Sequence, residues 1–128
     1  MKQAGSNERP APGSIRLRLL LAYEGSGFDG WQSQASGNAV QDFLERAVAS
    51  LVGERRVVHG SGRTDSGVHA LGQVAHVDVP EGRLSVEAWA GAVNAQLPAG
   101  VRVLAVRRAA PGFHAPNFCY CYRFCCCC

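Results

Sequence analysis

Residues 14–23 place Ile15, Leu17, Leu19, Leu21 and Tyr23 at every second position, with Arg16 and Arg18 between them. Successive side chains of an extended strand point to opposite faces, so this spacing describes a strand buried on one side. Such a face needs a second layer, and a change of period supplies it. From Asn38 the apolar residues Val40, Phe43, Leu44, Ala47, Val48, Leu51 and Val52 recur at helical spacing. Asn38 is expected to cap this helix, with Gln41 as its capping-box partner and Gly53 as its stop.

Alternation then returns. Residues 56–59 read as a short second strand, and residues 73–79 as a third, with Ala75, Val77 and Val79 facing one way and His76 and Asp78 the other. Ser85 opens a second helix along Val86, Trp89, Ala90, Val93 and Leu97, which Pro98 ends, and residues 101–106 form a fourth strand. The order strand, helix, strand, strand, helix, strand predicts an α+β, ferredoxin-like domain: a four-stranded antiparallel sheet with both helices on one face. The other face is left open. It is expected to carry Arg16, Arg18, His76 and Arg102, as a seat for nucleic acid or as an ordinary solvated surface.

At 128 residues and 47% hydrophobic content the chain is the size of one domain with a packed core. Residues 1–13, polar and rich in Gly and Pro, read as a disordered lead, residues 14–115 as the folded domain, and residues 116–128 as a low-complexity tail. All six Cys lie in that tail, four of them adjacent, with no spacer to aim them at one tetrahedral metal. No His or Cys pair has zinc spacing, so no metal is expected. With no secretory signal and no apolar run long enough to cross a bilayer, a cytoplasmic protein off the membrane is expected. The net charge of +3 permits an anionic partner without demanding one.

Two glycine-rich stretches invite functional readings. Residues 25–30 spell G-x-G-x-x-G after a strand, but the helix does not follow directly, so a dinucleotide site is rejected. A flexible turn is the simpler reading, although Phe28 and Trp31 could stack on bases there. Residues 60–70, GSGRTDSGVHA, hold one carboxylate, Asp65, between two apolar runs. Glycines let a backbone approach a ligand closely, so Asp65 is either a site residue at a loop tip or a plain turn residue. Arg63, two residues away, would keep that carboxylate ionised. The loop lacks the Gly-Lys-Ser/Thr ending of a triphosphate-binding loop.

Taken together, the chain closely resembles the N-terminal half of the tRNA pseudouridine synthase A family. The likeness is collinear: residues 22–25 (AYEG), 28–34 (FDGWQSQ), Val40-Gln41, residues 62–70 (GRTDSGVHA) with 72–74 (GQV), residues 94–98 (NAQLP) and 113–115 (FHA). The resemblance implies isomerisation of uridine to pseudouridine in the anticodon stem-loop of tRNA, without cofactor or metal. It makes Asp65 the catalytic nucleophile, attacking the sugar or the base, or else taking a ribose proton. It makes Arg63 a residue that extrudes the target base and holds phosphate, and it places Thr64 and His69 beside the substrate. Tyr122 stands near the place of a family tyrosine that packs on the uracil, about two residues early and in competition with Tyr120, and Pro116 replaces a family arginine. The family works as a homodimer and carries a second half of similar fold, so weak or absent turnover is expected from this chain alone. A non-catalytic ferredoxin-like RNA-binding module, or an inactive remnant, is the alternative reading.

Overall fold

In the computed structural model, which describes residues 9–62, 67, 69–110 and 113, the elements run β1 (Ser14–Tyr23), α1 (Val40–Val52), β2 (His59–Gly60), β3 (Ala70–Pro80), α2 (Val86–Asn94) and β4 (Val101–Arg108). The sheet order is β2-β3-β1-β4 with every pairing antiparallel, the ferredoxin-like arrangement. Ile15, Leu17, Leu19 and Leu21 of β1 lie opposite Val79, Val77, Ala75 and Gln73 of β3. Directly opposed residues share a face, so the alternation puts one apolar layer under the helices. Leu44, Val48 and Val52 of α1 and Trp89 and Val93 of α2 join that layer in one core. Burying each such side chain contributes roughly 1.5–3 kcal/mol. Both ladders of β1 shift register in its last residues, between Leu20 and Leu21 against β4 and between Leu21 and Tyr23 against β3. Among the described residues no helix is long and apolar enough to cross a membrane.

Several expected details differ. The first helix is flanked by Ala39 rather than Asn38, and Asp42, not Gln41, is the third helical residue whose carboxylate accepts the Ala39 N–H at 3.1 Å. Asn38 instead donates its side-chain amide to the Gly27 carbonyl. Gly53 does end the helix, in the left-handed conformation at φ 87°. The second helix stops at Asn94, short of Pro98, and the Asn94 side chain is held by β4: it accepts the Val103 N–H at 2.8 Å and donates to the Val103 carbonyl at 3.0 Å. β2 comprises two residues instead of 56–59. Upstream, both backbone groups of Val58 are taken by α1, its N–H donating to Glu45 Oε2 at 3.0 Å and its carbonyl accepting from Gln41 Nε2 at 2.7 Å.

Phe28 and Trp31 are core residues, not base-stacking platforms. Both are buried, Phe28 edge-on to Phe43 and Trp31 stacked 6.4 Å from Tyr23. The face away from the helices is divided. Its β3 side is covered: Arg16 and His76 are each 1% exposed, contrary to the expected open surface. Phe113 lies over them, accepting a hydrogen bond from Arg16 Nη1 at 2.6 Å and meeting the His76 ring edge-on, while His59 stacks on His76 at 4.7 Å. The β1–β4 side keeps Arg18, Arg102 and Arg107 exposed.

Asp42 ties the loop after β1 to the start of α1. Burial pushes its carboxyl upward, but hydrogen bonds from the Ser33 hydroxyl and the Ala39 and Gln34 backbone, with the Arg46 charge, outweigh this and hold it below its usual value. A carboxylate depressed in the folded state contributes stability above its unfolded pKa of 3.8, lost as pH falls through the folded value. Asp42→Ala should therefore cost about 1 kcal/mol near neutral pH, with the penalty shrinking in acid. Urea unfolding of both proteins across that range checks this, and a penalty independent of pH would be the contrary result.

Candidate active site

The glycine-rich loop leaves the sheet at Gly60 and re-enters at Ala70, and both of its ends are anchored. On the first side the Ser61 N–H donates to the Val74 carbonyl at 2.8 Å. Gln73 occupies an inward-facing position among apolar residues, is fully buried, and donates its amide to the Gly62 carbonyl at 2.5 Å. On the second side His69 Nδ1 accepts the backbone N–H of Gly25 at 2.9 Å. The contact uses the Nδ1 lone pair as acceptor. Gly25 begins the short 3-10 turn Gly25–Gly27 that closes β1, so the G-x-G-x-x-G stretch serves as the abutment of the second glycine-rich loop.

Of the sequence-predicted site residues, His69 is therefore placed, with a clasping bond to the first turn. Arg63, Thr64 and Asp65, which lie between the two anchors, and Tyr122 fall outside the described residues. The expected lead is described from Arg9, and the expected tail, residues 116–128, lies outside the described residues entirely.

β2 is too short to hold the loop by its own ladder, so its position depends on packing. Gly60 lies against the ring of Trp31, itself buried. A Cβ at position 60 would come within 2.6 Å of Trp31 Cε2 and 2.7 Å of Cζ2, closer than carbon atoms tolerate. Gly60→Ala should therefore destabilise the domain by about 1–3 kcal/mol and speed hydrogen exchange at the Ser61 amide, next to the loop. Unchanged unfolding and unchanged exchange would show that the ring can move aside.

At the same end of the sheet a pocket of about 480 Å³ is lined by Tyr23, Glu24, His69, Leu71, Val101 and Arg102, among others. His69 belongs to both loop and pocket, which makes the two continuous. Its walls are mainly apolar, with one acid, Glu24, and one base, Arg102, among the lining residues. Among the described residues no group of three His, Cys, Asp or Glu is placed to hold a metal ion.

Gln73, Gln41, Glu45 and Gly25 position the loop and its flanking strand, and none was singled out from sequence for that role. Gln73 had a visible signal, a polar residue at an inward position of an alternating strand. Gln41 and Glu45, one helical turn apart, reach their partner through tertiary packing that no local pattern records.

The family model described as tRNA pseudouridine synthase matches residues 20–115, which include both anchors and the loop between them. The tRNA pseudouridine synthase A of Solidesulfovibrio magneticus is 56% identical over 102 residues, covering 78% of this chain and 37% of that protein. That of Akkermansia muciniphila is 50% identical over 101 residues, covering 78% and 38%. That of Thermosynechococcus vestitus is 45% identical over 106 residues, covering 83% and 37%. The chain thus spans little more than a third of the length of these relatives. With three quarters of its residues inside the matched region, the chain belongs to the tRNA pseudouridine synthase family.

Proposed function

We propose that this chain supplies the aspartate-bearing half of a tRNA pseudouridine synthase acting on uridine in the anticodon stem-loop. The observation that carries the reading is the match across residues 20–115, which spans a loop built around one carboxylate and tied at both ends, to Gln73 and to Gly25. Asp65 is the catalytic residue of this reading, Arg63 and Thr64 are its candidates for holding the RNA backbone and the extruded nucleotide, and Tyr122, in competition with Tyr120, is its candidate for packing on the base. His69 acts through its bond to Gly25 as a positioning residue.

The reaction breaks the bond between uracil N1 and the ribose C1′, turns the ring, and joins C5 to C1′. The proton on C5 is lost to solvent and N1 gains one, so atoms and electrons balance with nothing consumed. An aspartate can serve as nucleophile toward the sugar or the base, or as the base for a ribose proton; each use needs an ionised carboxylate. The cytoplasm as the compartment and a homodimer as the working assembly are part of this reading and rest on the family resemblance alone. The RNA-recognition-motif alternative draws little support from β1 and the loop after it: Tyr23, Phe28 and Trp31 are all buried, so none of the three can stack on a base.

The test is tritium release from uridine labelled at C5 in a tRNA transcript, using this chain alone and joined to the C-terminal half of a relative. Release by the joined protein is expected, and RNA binding without release by either would favour a binding module instead.

A further inference from the structure

On the face away from the helices Arg18 of β1 lies directly opposite Arg107 of β4, and Ala22 opposite Arg102. Two like charges facing each other across a ladder repel, and sequences that keep them face an opposing cost. All three arginines are exposed, and none takes part in the ion pairs formed among the described residues, which use Arg16, Arg55, Arg56 and Arg108. Arg18 and Ala22 are four residues apart on one strand, so the Arg18–Arg107 pair and Arg102 mark the ends of a strip about 13 Å long. Leu20 and Ala105 lie opposite each other between these ends. Arg102 also lines the pocket that contains His69, so the strip runs from the middle of the sheet to the mouth of the loop site. The neighbouring half of the same face is closed by Phe113, whose ring centre lies 5.9 Å from the Arg18 guanidinium and forms one border of the strip.

We propose that Arg18, Arg107 and Arg102 form a track for the phosphate backbone of an RNA stem, leading its loop toward the pocket beside His69. The inference rests on the RNA substrate of the proposed function and adds the surface that grips it. Arginine suits the role because its planar fork can donate two hydrogen bonds to one phosphate. Phosphates are the partner favoured by charge: a pair of cations facing each other, with no carboxylate paired to them among the described residues, is relieved by a polyanion whose charges repeat along a line.

The test measures binding of a fluorescent anticodon stem-loop transcript to the full chain over a range of salt, for the parent, Arg107→Gln, Arg18→Gln/Arg107→Gln and Arg102→Gln. Every phosphate deprived of its arginine should lower the slope of log affinity against log salt by about 0.7–0.9, so the double variant should have a slope smaller by about 1.5 and bind at least about tenfold more weakly. Arg83→Gln, on the far side of the sheet, should change neither. Unaltered slopes in the arginine variants, or no RNA binding by the parent chain, would overturn the inference. So would displacement of the RNA by polyglutamate as readily as by unlabelled RNA, which would point to an acidic protein. Arg107→Gln melting well below the parent would make the residue structural and count equally against the track. Binding needs no turnover: RNA held through these arginines by a protein that releases no tritium removes only the isomerase reading, whereas release with unchanged salt slopes removes only this one.

Discussion

Asp65→Asn is expected to cut tritium release by the joined protein at least about a thousandfold, because no other group replaces a missing nucleophile or base. The substitution keeps size and shape, and the amide can still donate and accept hydrogen bonds. What it removes is the negative lone pair that every version of the chemistry requires. The ends of the loop should remain in place, since they are held by the bonds from Gln73 to the Gly62 carbonyl and from the Gly25 N–H to His69. Melting temperature and the salt dependence of RNA binding should therefore stay near those of the parent. Full activity in the variant would remove Asp65 from the chemistry altogether.

The largest loss of stability is expected from Asp78→Ala. Arg16 and Asp78 are register partners on β1 and β3, and the carboxylate accepts two hydrogen bonds from the guanidinium fork, from Nε at 2.7 Å and from Nη2 at 2.9 Å. The Arg16 side chain is 1% exposed and that of Asp78 26%. Removing the acid takes the counter-charge from a buried cation and leaves it the neutral Phe113 carbonyl as an acceptor. Such a change costs 3–5 kcal/mol in comparable sites, and the partial exposure of Asp78 argues for the lower end, about 3 kcal/mol. Replacing both members, as Arg16→Met/Asp78→Val, should recover most of the loss, since a packed apolar pair needs no desolvated charge. Denaturant unfolding of the single and double variants decides this: a single variant within about 0.5 kcal/mol of the parent would show that water reaches Arg16.

The layout of this fold was legible because its two periods are clean. Leu17, Leu19 and Leu21 announce one buried strand face, and Val40, Leu44, Ala47 and Val48 announce the helix stripe that covers it. What was not legible depended on residues far apart in the chain. The open basic face failed at Arg16 and His76 because Phe113, 97 residues from Arg16, closes over them. The second strand shortened because Glu45 and Gln41 had already taken both hydrogen-bonding groups of Val58. Phe28 and Trp31 looked available because a loop has no periodicity to say which way its aromatics point. The carboxylate loop stood out by composition alone, while the bond that fixes its far end joins residues 44 apart and leaves no local mark.

The sheet order also shapes how the chain is made. β1 is central, yet its ladder partners lie far downstream: Ser14 pairs with Pro80 and Leu17 with Arg108. At roughly 5–20 residues per second the ribosome delivers those partners only after some seconds, so the nascent first strand waits with its leucines unpaired. The first cover within reach is α1, the amphipathic segment that emerges directly behind it. The glycine-rich loop cannot be drawn tight until β3 has docked, which makes the site one of the last features of the newborn protein to take shape.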